Sequence, residues 1–122
     1  MRRAANLPAT ALGLTVAALS GAKGCAGAAG GLIVCSRANN NLGAGGGTTI
    51  GDVFVTSDSP DEIDKNLLRH ELRHSDQWAG WGIAYPVAYG VASTFSQGTT
   101  GTYACGNYFE IDAGLADGRY EC

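Results

Sequence analysis

The stretch RHELRHSDQW, residues 69–78, holds both histidines of a 122-residue chain, spaced as His70-Glu71-x-x-His74. Whether it is helical decides what the rest of the chain must do. The start signals lie just upstream: Ser59 is a candidate N-cap, Pro60 suits the first helical position, and Glu62 completes a capping box. The spacing predicts a helix running to about Ala79, capped by Gly80 or Gly82. With roughly 100° per residue and His70 at zero, Ile63, His74, Leu67 and Trp78 fall within about 80°, and Glu71 at about 100°. Lys65, Arg69, Arg73 and Asp76 take the other side. The histidines and a glutamate therefore point inward, and a carboxylate in the interior needs a partner such as a cation.

Histidines at i and i+4 can aim ring nitrogens at one zinc ion, with the intervening glutamate as general base toward an attacking water. The rival reading is a pair of core histidines satisfied by backbone carbonyls. A catalytic zinc takes three protein ligands. There is no third histidine, and the only methionine is Met1, so the metzincin pattern is excluded. A carboxylate or a cysteine is expected, and Glu110 is favoured because Ala113 and Gly114, on the same face of a helix predicted over 107–116, allow close approach. Asp112 and Asp117 compete for that place, or could orient a histidine. Gln77 projects beside the histidines toward substrate or the metal site. Tyr85, Tyr89, Tyr103 and Tyr108 are candidate hydrogen-bond donors to a transition state, whereas Trp78 and Trp81 read as packing.

Around this helix the chain divides simply. Leu32-Ile33-Val34 reads as a strand, Asn39–Asn41 and Gly45–Gly47 as loops, and residues 48–56 as one β-branched strand. A Pro-led apolar helix is expected from Tyr85 to Phe95, followed by a loop over 96–102. Met1-Arg2-Arg3 and the uncharged run that follows resemble a signal peptide covering residues 1–22, or an anchor if uncleaved, with the domain at 23–122. Cys25, Cys35, Cys105 and Cys122 are even in number and lack a Cys-x-x-Cys spacing, so disulfides and a secreted protein are expected. Of three pairings, the nearest-neighbour one staples each end of the domain. Net charge is −3, or −5 without Arg2 and Arg3, and with no basic patch nucleic acid is excluded as a partner.

Residues 48–56, 70–78 and 105–120 together resemble a group of small bacterial zincin-like domains of gluzincin type, some of which end large secreted or toxin-like proteins. The resemblance implies zinc on His70, His74 and Glu110, and Glu71 as base. It also implies that Asp52, Val53, Phe54 and Val55 bind a peptide or protein substrate by edge pairing. The expected fold is α+β: a small sheet packed by the metal helix and two further helices, stapled by disulfides. The expected function is that of a secreted zinc metallopeptidase. The alternatives are a metal- and disulfide-stabilised binding module without turnover, and a toxin effector accompanied by a delivery or immunity partner.

Overall fold

The computed structural model describes residues 2–39 and 47–122, with side chains from residue 4 onward, so the loop expected at 40–46 lies outside the described residues. The segment read as one strand is a hairpin. Strand β3 (Gly47–Ile50) turns through Gly51-Asp52 into β4 (Val53–Thr56), pairing antiparallel with Thr49 opposite Phe54. Gly51 sits at φ +62°, and a Cβ there would lie 2.5 Å from the Thr10 backbone nitrogen, so conformation and close approach both require glycine.

Upstream, β1 (Gly24–Gly27) pairs antiparallel with β2 (Ile33–Ser36), and β2 runs parallel beside β4, giving the order β1-β2-β4-β3. Strand β4 therefore has neighbours on both sides, and its residues Val53–Thr56 are all buried. Substrate cannot add to it. This corrects the expectation for Asp52, Val53, Phe54 and Val55: among the described residues the sheet edge beside the histidines is that of β3. Asp52 itself is buried, accepting hydrogen bonds from Asn6 Nδ2 (2.8 Å) and Ser75 Oγ (2.5 Å).

Alternation along the strands sends side chains to two cores. Val53, Val55 and Cys35 meet Ala17 and Ala38 on one face, while Phe54 and Leu32 meet Leu67 on the other. The first face is covered by helix α1 (Arg2–Leu19), the segment read as a leader. A Cβ on its Gly13 would fall 2.8 Å from Val53 Cβ, and Asn6, fully buried, donates to the Ser75 carbonyl at 2.9 Å. No described helix is long and apolar enough to cross a membrane. Because α1 covers Val53 and Val55, and burying such a side chain is worth about 1.5–3 kcal/mol, deletion of residues 1–22 should destabilise the domain by several kcal/mol. Thermal unfolding of the two forms measures this, and equal midpoints would make α1 dispensable.

The helix that carries both histidines starts later than the upstream capping box suggests. Ser59 and Glu62 form that box, but around a single 3-10 turn over Pro60–Glu62, after which Ile63 returns to extended backbone. Helix α2 (Lys65–Trp81) begins with Asp64 as N-cap, its carboxylate accepting from Leu67 N at 2.8 Å, and ends at Gly82. Helix α3 (Tyr85–Thr100) takes in most of the loop expected over 96–102 and is capped by Gly101. Helix α4 (Tyr108–Ala113) is capped by Asn107 and stops at Gly114. The disulfides are Cys25–Cys35, between facing residues of β1 and β2, and Cys105–Cys122, which ties the C-terminal tail to the turn before α4. The class is α+β, a mixed four-stranded sheet with helices on both faces.

Candidate metal centre

Within α2 the inward face is polar: His70, Glu71, His74, Ser75 and Gln77 are buried, and Leu67 is the only buried aliphatic residue. Such a face is costly unless each group is satisfied. Helix α4 lies against it and delivers Glu110, only 3% exposed, to the two histidines. Glu110 Oε1 stands 3.0 Å from His70 Nε2 and 3.0 Å from His74 Nε2, and the two Nε2 atoms are 3.0 Å apart. Among the described residues these three form the group able to hold a metal ion.

The partners on the far side of each ring settle what converges there. His70 Nδ1 is 2.7 Å from the Gly114 carbonyl oxygen, which can only accept, so Nδ1 carries a proton. The amide of Gln77 is oriented by its NH2, which donates to the Phe109 carbonyl and to Asp112 Oδ2, both at 2.9 Å. Its Oε1 therefore faces His74 Nδ1 at 2.8 Å, and that nitrogen is protonated too. In the neutral rings both Nε2 lone pairs then meet a carboxylate oxygen. One proton can bridge a single member of this triangle, whereas a cation serves all three. Ligands at tetrahedral zinc, about 2.0–2.1 Å from the metal, stand about 3.3–3.4 Å from one another. The observed triangle needs to open by only a few tenths of an ångström.

With a proton rather than a cation among them, the same groups form charge-assisted hydrogen bonds that favour a negative Glu110 and a positive His74. Burial pushes the Glu110 carboxyl up, but hydrogen bonds with His70 and His74 outweigh it and hold the group well below the ordinary carboxylate range. Burial disfavours the charged form of His74, yet its hydrogen bond with Glu110 and that carboxylate's charge raise its pKa. Glu71 is raised by burial, partly offset by His74 and by a hydrogen bond from Thr49 Oγ1 at 2.5 Å. Tyr89 donates to the second carboxylate oxygen of Glu110, orienting it. Burial and then the Glu110 charge raise the pKa of Tyr89 and Tyr120, so both phenols stay protonated.

A cavity of about 350 Å³ opens onto Glu71, His74 and Glu110. Its walls are β3, the residues Trp78, Tyr85, Pro86 and Tyr89, and Tyr103 and Tyr120 of the C-terminal region, whose hydroxyls are 2.8 Å apart. Trp78, read as packing, lines this space, and its indole N–H donates to the Thr49 carbonyl at 2.9 Å. Tyr108 lies outside it, 63% exposed. Asp117 is paired with Arg69 at 3.0 Å and Asp112 with Arg73 at 2.8 Å, so neither carboxylate joins the triangle. No protein-family model, curated protein or solved structure matches the chain. The residues themselves must carry the functional argument.

One position was not legible as a site residue, and of the two roles open to Gln77 beside the histidines the structure favours the one behind the ring. Gly118 packs on His70 so closely that a Cβ would stand 2.4 Å from the ring, a contact between residues 48 apart that no local pattern announces. Gln77, expected beside substrate or the metal site, does not line the cavity and fixes the His74 tautomer, with Tyr85 also donating to its Oε1 at 2.9 Å. Removing such an outer acceptor costs about 10–100-fold in metal affinity. Gln77→Leu should show that loss in a chelator-competition titration, and Gln77→Glu, which keeps an acceptor, should recover much of it. Equal affinity in all three proteins would mean that Gln77 does not hold the ring.

Proposed function

We propose that the protein is a zinc-dependent hydrolase of peptide bonds, similar to a minimal zincin, with His70, His74 and Glu110 as ligands and Glu71 as general base. The observation that carries this reading is the triangle of two Nε2 lone pairs and a carboxylate, opening with Glu71 onto a cavity. A site that serves only to hold a fold together is closed by a fourth protein ligand. Here the candidates for that place, Asp112 and Asp117, are engaged by arginines. That favours an open position over a non-catalytic module. Zinc is preferred to other divalent ions on ligand type.

Zinc bound there would polarise a scissile carbonyl and make a water more acidic. Glu71, on the cavity wall, takes the water proton and returns it to the leaving amine. Thr49 holds one Glu71 oxygen and leaves the other for that exchange. Strand β3 offers the rest of its edge, beside the Thr49 carbonyl that Trp78 holds, to the extended substrate backbone, and Tyr120, which lines the same cavity, donates to developing charge on the substrate oxygen. The two disulfides support export as the setting for this activity.

The test is elemental analysis of protein purified without added metal, paired with digestion of a mixed peptide library. The expected result is near one zinc per chain and cleavage that chelation stops and zinc restores. Failure to take up zinc when it is offered would reduce the site to a packed histidine pair.

A further inference from the structure

A second cavity, of about 390 Å³, lies at the other edge of the sheet from β3. It runs along β1, all four of whose residues are exposed, and its floor includes Val34, Ile63 and Leu68. These three side chains are only partly buried although they belong to the core around Leu32, Phe54 and Leu67. The core on the α2 face is thus unfinished below β1. Two cations stand at one end of the trough: Lys23 precedes Gly24, and Arg37 follows Ser36, the residue paired with Gly24. Both are exposed, and neither forms an ion pair among the described residues, whereas Arg69, Arg73 and Arg119 all do.

The backbone of β1 is arranged to accept a neighbour. Facing Cα atoms of Cys25 and Cys35 are 4.0 Å apart, the close spacing of a pair that does not exchange backbone hydrogen bonds. The N–H and C=O of Cys25, and by alternation those of Gly27, therefore point outward from the sheet. Side chains at Gly24, Ala26 and Gly27 are absent or a single methyl, and nothing lies within 4 Å of where a Cβ would stand on either glycine. The Cys25–Cys35 bond holds the strand flat against β2 without filling this edge. An exposed edge with small side chains, no proline and cations only at one end is a template for strand addition.

We infer that β1 is a docking edge for an extended acidic peptide segment of a partner protein, which adds as a fifth strand, places alternate apolar side chains over Val34, Ile63 and Leu68, and sets carboxylates against Lys23 and Arg37. Lys23 and Arg37, the two cations at the Gly24 end of the trough, argue for an acidic partner; a second copy meeting β1 antiparallel would bring no carboxylate of its own β1 to them and is an outcome the test distinguishes. The site is separate from the metal centre and does not depend on its chemistry.

The probe is an acetylated, amidated peptide Asp-Glu-Val-Thr-Val-Glu-Asp, with Lys-Lys-Val-Thr-Val-Lys-Lys as its opposite, titrated into the full chain at low salt and followed by amide NMR shifts. Two charge contacts predict roughly tenfold tighter binding of the acidic peptide, weakened by salt, with shifts at residues 24–37. The double variant Lys23→Glu/Arg37→Glu, both exposed positions, should reverse the preference. Gly27→Pro, which removes an outward N–H, should weaken both peptides in either background. Equal binding of the two peptides, shifts confined to other surfaces, no binding at millimolar peptide, or a concentration-dependent dimer lost in Gly27→Pro would each overturn the inference.

Discussion

Glu71→Gln is expected to lower peptide hydrolysis by about 10²–10⁴-fold, the usual range for a general base, while zinc content stays at the parental level. The substitution keeps the length of the side chain and its ability to accept from Thr49 Oγ1, so the wall of the cavity retains its shape. It removes the capacity to take a proton at the position from which Glu71 faces the cavity. The three proposed ligands His70, His74 and Glu110 are untouched, and an uncharged amide costs less to bury than a carboxylate. Stability should therefore hold or rise. Turnover numbers and zinc stoichiometry measured on the same preparation separate the roles: a fall in both would make Glu71 a structural support of the site. Activity above a tenth of the parent with full zinc would end its role as base.

Helix α2 and the meeting of His70, His74 and Glu110 were legible because the signals are local or strongly constrained. His70, Glu71 and His74 share a turn spacing, and a chain with two histidines leaves few residue types for the third ligand. The nearest-neighbour disulfides were legible for a similar reason, since short loops close at low entropic cost. Most of what stayed hidden depends on pairing between distant segments. Residues 48–56 are β-branched on both sides of Gly51-Asp52, and that dipeptide is itself a two-residue hairpin signal that the reading of one continuous strand passed over. The neighbour that makes β4 an interior strand is β2, brought alongside in parallel by a crossover, and no pattern within 52–55 distinguishes a central strand from an edge. The capping box at Ser59 was read correctly as a cap but assigned to the wrong helix, because a 3-10 turn and an α-helix expose the same orphan amides. Helix α1 was read through its composition as a leader. The partners that tie it down, Asp52 and Ser75, lie 46 and 69 residues from Asn6.

Glu110→Ala should cost the protein its zinc. The carboxylate contributes one corner of the triangle and the only negative charge in it, so its removal leaves two neutral imidazoles, a set too small for the three protein ligands of an open zinc site. The loss should exceed the 10–100-fold typical of outer partners, giving near-zero zinc per chain where the parent holds near one. The competing carboxylates supply the controls. Asp112→Ala removes an acceptor from the Gln77 amide, at 2.9 Å, and should weaken binding only through that side chain. Asp117→Ala breaks an exposed pair with Arg69 and should leave zinc content unchanged. Thermal unfolding provides an independent readout, since a ligand that binds the folded state raises its stability by mass action. Added zinc should raise the midpoint of the parent and of Asp117→Ala and leave Glu110→Ala where it was. If Glu110→Ala instead keeps its zinc while one of the aspartate variants loses it, the third ligand lies elsewhere and the 3.0 Å contacts of Glu110 are hydrogen bonds of a metal-free core. The ordering of the three variants decides between an assembled metal centre and a buried polar network, because only the former makes one carboxylate indispensable.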